Sequence, residues 1–330
     1  MRVLAAVDKF RGTATASQVA AAIGHACWET GHECIEVPIA DGGEGTLDVL
    51  GGPNRTSRVT NPLGKPVDAQ WRLSRDVAVI EMARASGLSL VGGKAKNDVI
   101  AASTIGTGEL IDTALNDGAK HIIVCVGGSA TVDGGLGAVR AIRSPARLHG
   151  VEFFVACDVR TRFTDAARLF GAQKGASPAH IDFLTARLHA LVQTYRDEFG
   201  VDVSDLEGAG AAGGLAGGLA ALGANLVPGF DLVADEVGLH ELINTCDVVI
   251  TGEGFVDEES FDGKVVGGVQ HLATRAGKPV AAICGDAQPE QRSRLEIVSL
   301  VESFGEDAAF NQTLTSIERG AALLLKKFAR

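Results

Sequence analysis

Acidic residues framed by glycines are the first feature of this sequence that could do chemistry. Residues 250–264, ITGEGFVDEESFDGK, carry five carboxylates and end on Lys264. Two other stretches share the texture, ADGGEGT at 40–46 and VGGSATVDGGLG at 126–137. Magnesium is a hard cation that takes carboxylate, water and phosphate oxygens, often with only one or two protein carboxylates. Asp41, Glu44, Asp133, Glu253 and Asp257 are placed for such a role, at strand ends or in the following turns. Each also fits the plainer role of helix cap or turn residue. Asp158 ends an apolar run as Asp8 and Asp41 do, so an aspartate recurs at one depth. Gly127, Gly128, Ser129, Ala130 and Thr131 are expected to lead from a strand into a helix, where free N–H groups cradle phosphate. Lys9, Lys174 and Lys264 sit beside glycine-rich or strand-end sequence and could meet an anion as point charges.

The elements that must position these groups are legible as alternating short apolar runs and helix-length segments, the pattern of an α/β fold with a largely parallel sheet. Strands are expected at 3–8, 34–41, 121–128, 151–158, 247–254, 279–286 and 297–303, and helices at 14–31, 103–118, 178–200 and 214–223. Between 55 and 83 three β-rich runs follow closely around an N-P-L-G turn, which reads as antiparallel strands. The expected architecture has two domains: a Rossmann-like, doubly wound parallel sheet from residues 1–55 plus 236–330, and an inserted mixed α/β domain from 56–235. Ligands of open α/β sheets bind beyond the carboxyl ends of strands, which is where the glycine-framed acids fall.

Composition removes several classes. With 330 residues and a net charge of −11, a general affinity for nucleic acid or anionic membrane is not expected. No apolar run approaches a membrane span, and the aspartate at position 8 interrupts any signal-peptide core. The six cysteines form no C-x-x-C pair, and Cys125, Cys157 and Cys284 lie inside apolar runs, so packing in a reducing, cytoplasmic compartment is expected. The eight histidines show no metal-binding spacing, and no G-x-S-x-G elbow or Walker-type loop occurs. Gly208–Gly213 matches G-x-G-x-x-G, but VDVSDLE before it is too polar for the strand a dinucleotide site needs.

Taken in order, VDKFRGTATA (7–16), VPIADGGEGTLDVL (37–50), VTNPLGKPV (59–67), VIEMARASGLSLV (79–91), STIGTGELI (103–111), VGGSATVDGGLGA (126–138), VACDV (155–159), FGAQKGAS (170–177), EGAGAAGGLAGGL (207–219) and DVVITGEG (247–254) resemble the bacterial glycerate kinase family of the glycerate 2-kinase type. The resemblance implies two α/β domains, Mg2+, and transfer of the γ-phosphoryl of ATP to a hydroxyl of D-glycerate, giving 2-phosphoglycerate. Within that frame Asp41 is expected to orient or deprotonate the acceptor hydroxyl, with Asp158 second. Asp8, Lys9, Arg11, Gly42, Gly43 and Glu44 are expected at the substrate. Gly127, Gly128, Ser129, Ala130, Thr131 and Lys264 are expected at the nucleotide phosphates, and Glu253 and Asp257 at Mg2+.

The chain departs from the family pattern at several places. Lys9 and Arg11 replace a serine and a lysine. Val132 replaces an asparagine, which is expected to remove a polar group from the cradle. The excursion after GGLGAV shrinks to AIRSPARLHG, the N-P-L-x-G after C-D-V becomes Arg160–Asp165 sequence, and Phe255 replaces an arginine that could fork phosphate. Three alternatives therefore stay open: a kinase for another hydroxy acid, a non-catalytic relative that binds nucleotide or organic acid and regulates a partner, and a nicotinamide oxidoreductase resting on 208–213. The small-residue segment 214–223 permits close packing within or between chains, so a homo-oligomer is compatible with it.

Overall fold

The computed structural model describes residues 1–329. Eleven strands run along them: β1 (Arg2–Val7), β2 (Glu33–Pro38), β3 (Arg55–Thr60), β4 (Pro66–Ser74), β5 (Val77–Glu81), β6 (His121–Cys125), β7 (Glu152–Cys157), β8 (Asn225–Pro228), β9 (Val248–Val256), β10 (Val280–Ala287) and β11 (Glu296–Ser299). The chain divides into two compact units, 1–41 with 229–330, and 42–228.

The first unit is a five-stranded sheet in the order β11-β10-β9-β1-β2, parallel throughout. Its central strands β1, β9 and β10 are buried on both faces, and alternate residues feed different cores. Ala281 and Ile283 of β10 join one cluster with the helix Ala16–Glu29, whereas Ala282 and Cys284 join another with Val266. This two-sided burial is why such strands read as continuous apolar runs. Thr15 starts the helix Ala16–Glu29 with a capping box: Gln18 N–H donates to Thr15 Oγ1 at 3.2 Å and Thr15 N–H to Gln18 Oε1 at 2.9 Å. The chain moves from β1 to β2 in one direction and from β9 through β10 to β11 in the other, so β1 and β9 are the neighbours at the reversal.

The second unit is a six-stranded sheet in the order β3-β4-β5-β6-β7-β8. Its β3, β4 and β5 are antiparallel, and β5 to β8 run parallel. The core gathers Trp71, Phe153, Phe163 and Tyr195, with Leu184 and Leu188 of the long helix Pro178–Phe199. That helix starts at Ser177 with Pro178 in its first turn and ends at Gly200.

Three elements differ from expectation. The expected strand 297–303 stops at Ser299, whose hydroxyl accepts from Glu302 N–H and starts the helix Leu300–Phe304. β8 was not expected, because NLVP is short and lies at the sheet edge. The helix expected at 214–223 spans Ala211–Ala221 and contains three left-handed residues, Ala212, Gly213 and Gly214.

Candidate active site

In the first unit, the β1–β9 reversal places acids side by side. Val7, the last residue of β1, pairs with Gly252, so Asp8 follows the end of β1 beside Glu253, which lies within β9 where its pairing with β1 stops and its pairing with β10 continues. Asp8 is 7% exposed. Burial lifts its carboxyl to about 6; the Asp41 charge adds to the rise, and Lys9 and Lys264 oppose it. Lys9 Nζ stands 3.8 Å from Asp8 Oδ1, which also accepts from the Lys9 N–H at 2.7 Å. Burial likewise lifts Glu253 to about 7, with the charges of Asp8 and Asp257 adding to it and Ser260 and Lys264 opposing. Glu253 Oε1 is buried and has no hydrogen-bond partner. An acceptor left dry and unpaired costs roughly 1–3 kcal/mol, more for a charged group, so it calls for a cation or donor from a ligand.

The structure thus brings Asp8, Lys9, Asp41, Glu253, Asp257 and Lys264 into one region of the first unit. Arg11 is exposed near them in sequence. Asp257 has a structural task for one oxygen: its Oδ1 accepts from Ser260 N–H at 3.1 Å, and Ser260 Oγ in turn accepts from Asp257 N–H at 3.0 Å. Lys264 precedes the helix Val265–Arg275 and lies 3.4 Å from Glu259 Oε2. Within this unit its charge bears on both Asp8 and Glu253. Phe255 is half exposed on β9, opposite Asp286 in register.

The second unit carries the other glycine-framed segments. Gly42, Gly43 and Glu44 form the turn before a four-residue helix, Thr46–Val49. That turn is anchored from β5: Glu81 Oε1 accepts from Gly45 N–H at 2.7 Å and Leu47 N–H at 3.0 Å. Glu81 Oε2 accepts from Arg84 Nε at 3.1 Å. The turn lies against the loop after β6. A Cβ on Gly128 (φ +63°) would fall 1.9 Å from Glu44 Oε1, and one on Gly127 would be 3.2 Å from Gly43 Cα. Segments expected to serve substrate and phosphate separately are therefore packed together.

Gly127–Thr131 do not lead directly into a helix as expected. β6 ends at Cys125 and the next helix, only six residues long, starts at Leu136. The loop between is held by its own partners: Ala130 N–H donates to Ser86 O at 3.0 Å, and Leu88 N–H donates to Gly128 O at 2.8 Å. Asn97 Nδ2 donates to Ala130 O at 2.9 Å. Asp133 closes the loop, accepting from Thr104 N–H and Oγ1 at 2.8 Å each, from Ser103 Oγ at 3.3 Å, and from the N–H groups of Gly135 and Gly137. So many donors make Asp133 an anchor, not an open metal ligand. Val132 is fully buried in the core of this unit. Its replacement of asparagine therefore does not strip a group from the cradle, because the side chain points into the interior.

The G-x-G-x-x-G match serves the same loop. No strand precedes it; the left-handed Gly213 (φ +70°) lets the backbone approach so closely that a Cβ there would be 1.9 Å from Thr131 O. Asp158 is exposed just past β7; burial lifts the Cys157 thiol to about 11, and the Asp158 charge adds to the rise. All six cysteines are free. Sequence reasoning missed Glu81, and it noticed Lys174 without giving it a place. Lys174 is fully buried, its ammonium donating to Ser129 Oγ at 2.7 Å and Thr131 O at 2.8 Å. Both had a signal available: Glu81 closes the apolar run VAVIE, and Lys174 stands between Gly171 and Gly175.

Among the described residues no group of three or more His, Cys, Asp or Glu side chains is arranged to hold a metal, and no helix is long and apolar enough to cross a membrane.

Comparison with known proteins gives the arrangement its context. The model of the glycerate kinase family matches residues 3–145 and 142–329. The two spans meet inside the shortened segment after Ala141. The glycerate 2-kinase of Escherichia coli (strain K12) is 39% identical, covering 96% of this chain and 91% of its own length. The glycerate kinase of Halalkalibacterium halodurans is 38% identical, covering 94% of this chain and 90% of its own. The crystal structure of a Salmonella typhimurium LT2 protein assigned as glycerate kinase 2 aligns with a TM-score of 0.84 at 33% identity, over 100% of this chain and 98% of that one. A chain matched over nearly its whole length, with its strand-end acids and glycine loops held in two α/β units, belongs to the glycerate kinase family.

Proposed function

We propose that this kinase transfers the γ-phosphoryl group of ATP to a hydroxyl of D-glycerate in the cytoplasm, giving 2-phosphoglycerate. The observation that carries the reading is the pair Asp8 and Glu253, burial-shifted carboxylates side by side where β1 ends against β9 and the sheet reverses. Phosphoryl transfer asks a protein chiefly for positioning and charge, together with a group that orients the acceptor hydroxyl. Asp8 is suited to that last role. A carboxyl lifted to about 6 is a stronger base than an exposed one and is still mostly ionised at neutral pH. Asp41 acts through Asp8, since its charge helps raise Asp8. Lys9 and Lys264 offer positive charge to the anionic substrates.

The residues also fit Mg2+. Glu253 Oε1 is a hard, buried, unpartnered oxygen, and magnesium needs only one or two protein carboxylates when phosphate and water complete its shell. Glu253 is the donor we assign to it, with Asp257 contributing the oxygen not engaged by Ser260. When bound, the ion supplies positive charge to the phosphate oxygens. The loop of Gly127–Thr131 is assigned to the nucleotide phosphates, on its glycine backbone and the Ser129 hydroxyl.

The test is ADP release from purified protein with ATP and Mg2+, across D-glycerate, L-glycerate and other small hydroxy acids, with phosphorus NMR of the product. Turnover that depends on D-glycerate and yields the 2-phosphate is the expected result. Turnover with a different acid would move the assignment of acceptor. Folded protein that is stabilised by ATP but releases no ADP with any acid would overturn the catalytic reading.

A further inference from the structure

Lys174 sits on a short turn, Ala172–Lys174, 45 residues from Ser129. If packing were its only task, an apolar chain would fill the space without desolvating a charge. The acid in its field is Asp133, whose oxygens are taken up by Ser103, Thr104, Gly135 and Gly137. The facing cation is Arg187 of the helix Pro178–Phe199, which donates to Val132 O. Lys94, whose carbonyl packs against Gly175, and Lys96 are exposed, and Asn97 and Ser129 are neutral. What the ammonium touches is the loop itself.

The consequence follows from donor counting. An ammonium has three N–H donors and no acceptor. Ser129 Oγ therefore receives a hydrogen from Lys174 and must send its own hydrogen elsewhere. We propose that Lys174 is a positioning residue that, by occupying the acceptor side of Ser129 Oγ, fixes the Ser129 hydroxyl as a donor to an oxygen of the nucleotide phosphates. The inference rests on the assignment of Gly127–Thr131 to those phosphates. Burial pushes the Lys174 ammonium down to about 7. Above that pH the neutral amine carries a lone pair, the Ser129 hydrogen can turn into it, and the donor is lost. Affinity for ATP then falls as pH rises through about 7, while kcat at saturating ATP does not follow that step.

The experiment measures KM for ATP and kcat from pH 6 to 9 at constant free Mg2+ for the full chain, Ser129→Ala, Lys174→Met and the double variant. Titration of ATP itself is common to all four. The wild type is expected to show a rise in KM of about tenfold across the range, the size of one hydrogen bond to a charged group. Ser129→Ala should already have the raised KM at pH 6 and no further step, and the double variant should match it, since the two residues act as one unit. A step that persists in Ser129→Ala, or additive effects in the double variant, overturns the proposal. Where Lys174→Met fails to fold, the Ser129→Ala profile decides. Gly128→Ala separates the two levels. If it raises the ATP KM while Ser129→Ala keeps the step, only the Lys174 inference fails. If neither variant changes the ATP KM, the phosphate assignment of the loop fails.

Discussion

The end of β1 and β9 and the loop after β6 are built from the same materials, yet they bury opposite charges. At the first, Asp8 is buried and Glu253 partly so, and burial lifts both carboxyls. At the second, Lys174 is fully dry and burial lowers its ammonium. Each arrangement costs folding free energy, since removing an ion from water is expensive unless a partner of opposite sign compensates it. The difference lies in what each has been given. Lys174 is paid with two oxygens of the loop it braces, whereas Glu253 Oε1 is left without any partner. A charge satisfied by its own chain shapes structure; one left unsatisfied is a site for something else. The two regions should therefore answer substitution and pH in opposite ways.

The largest effect is expected at the carboxylates. Glu253→Gln or Asp8→Asn should lower kcat about a hundredfold or more, measured as ADP release with saturating substrates. The same variants should be more stable than wild type at pH 8. The carboxyls of the native state hold protons up to about 6 and 7, whereas the unfolded chain releases them near 4. Native protein thus binds more protons between those values, so the stability contributed by the two groups is present below about pH 4 and is lost as pH rises through 6 to 7. Neutral replacements should recover about 1–3 kcal/mol each at pH 8 in urea unfolding. A loss of stability there would break the contrast between the regions.

Lys174 gives the mirror image. The native ammonium loses its proton near 7 and the unfolded one near 10.4, so the unfolded chain binds more protons between them. Wild-type stability from this group should rise with pH across that window, whereas Lys174→Met should be flat in it. Chemical unfolding at pH 7 and pH 9.5 reads the difference. A smaller effect is expected at Val132→Asn, which restores the family residue but buries an amide in the core, and should cost about 2 kcal/mol. The smallest, far from both charged regions in role, is Thr15→Ala. Losing that cap should cost about 1 kcal/mol in thermal unfolding and leave KM and kcat unchanged.

Much of the first unit was legible because its signals are local. Apolar runs bounded by glycine predict buried parallel strands, and Thr15 with Gln18 three residues on marks a helix start. The acids Asp8 and Glu253 could be singled out since each directly follows or closes an apolar run, and an α/β sheet places such positions on its ligand-binding edge. Family order in the motifs then supplied the chemistry. The second unit was less legible at its functional loop. The strand-to-helix cradle expected at Gly127–Thr131 is a long loop, since its backbone groups find partners at Ser86, Leu88 and Asn97 and have no need of a helix.

Local pattern determined the order of elements, the fold class and the depth at which the acids fall, because each depends on residues within a few positions of one another. Folding in three dimensions decided the rest. Glu81 grips a turn 36 residues away, Lys174 reaches Ser129 across 45, and the left-handed Gly213 presses on Thr131. Whether Val132 faces a cradle or a core depends on which of these segments closes over it. A buried charge or a dry hydroxyl is defined by the neighbours that exclude water, and those neighbours are distant in the chain.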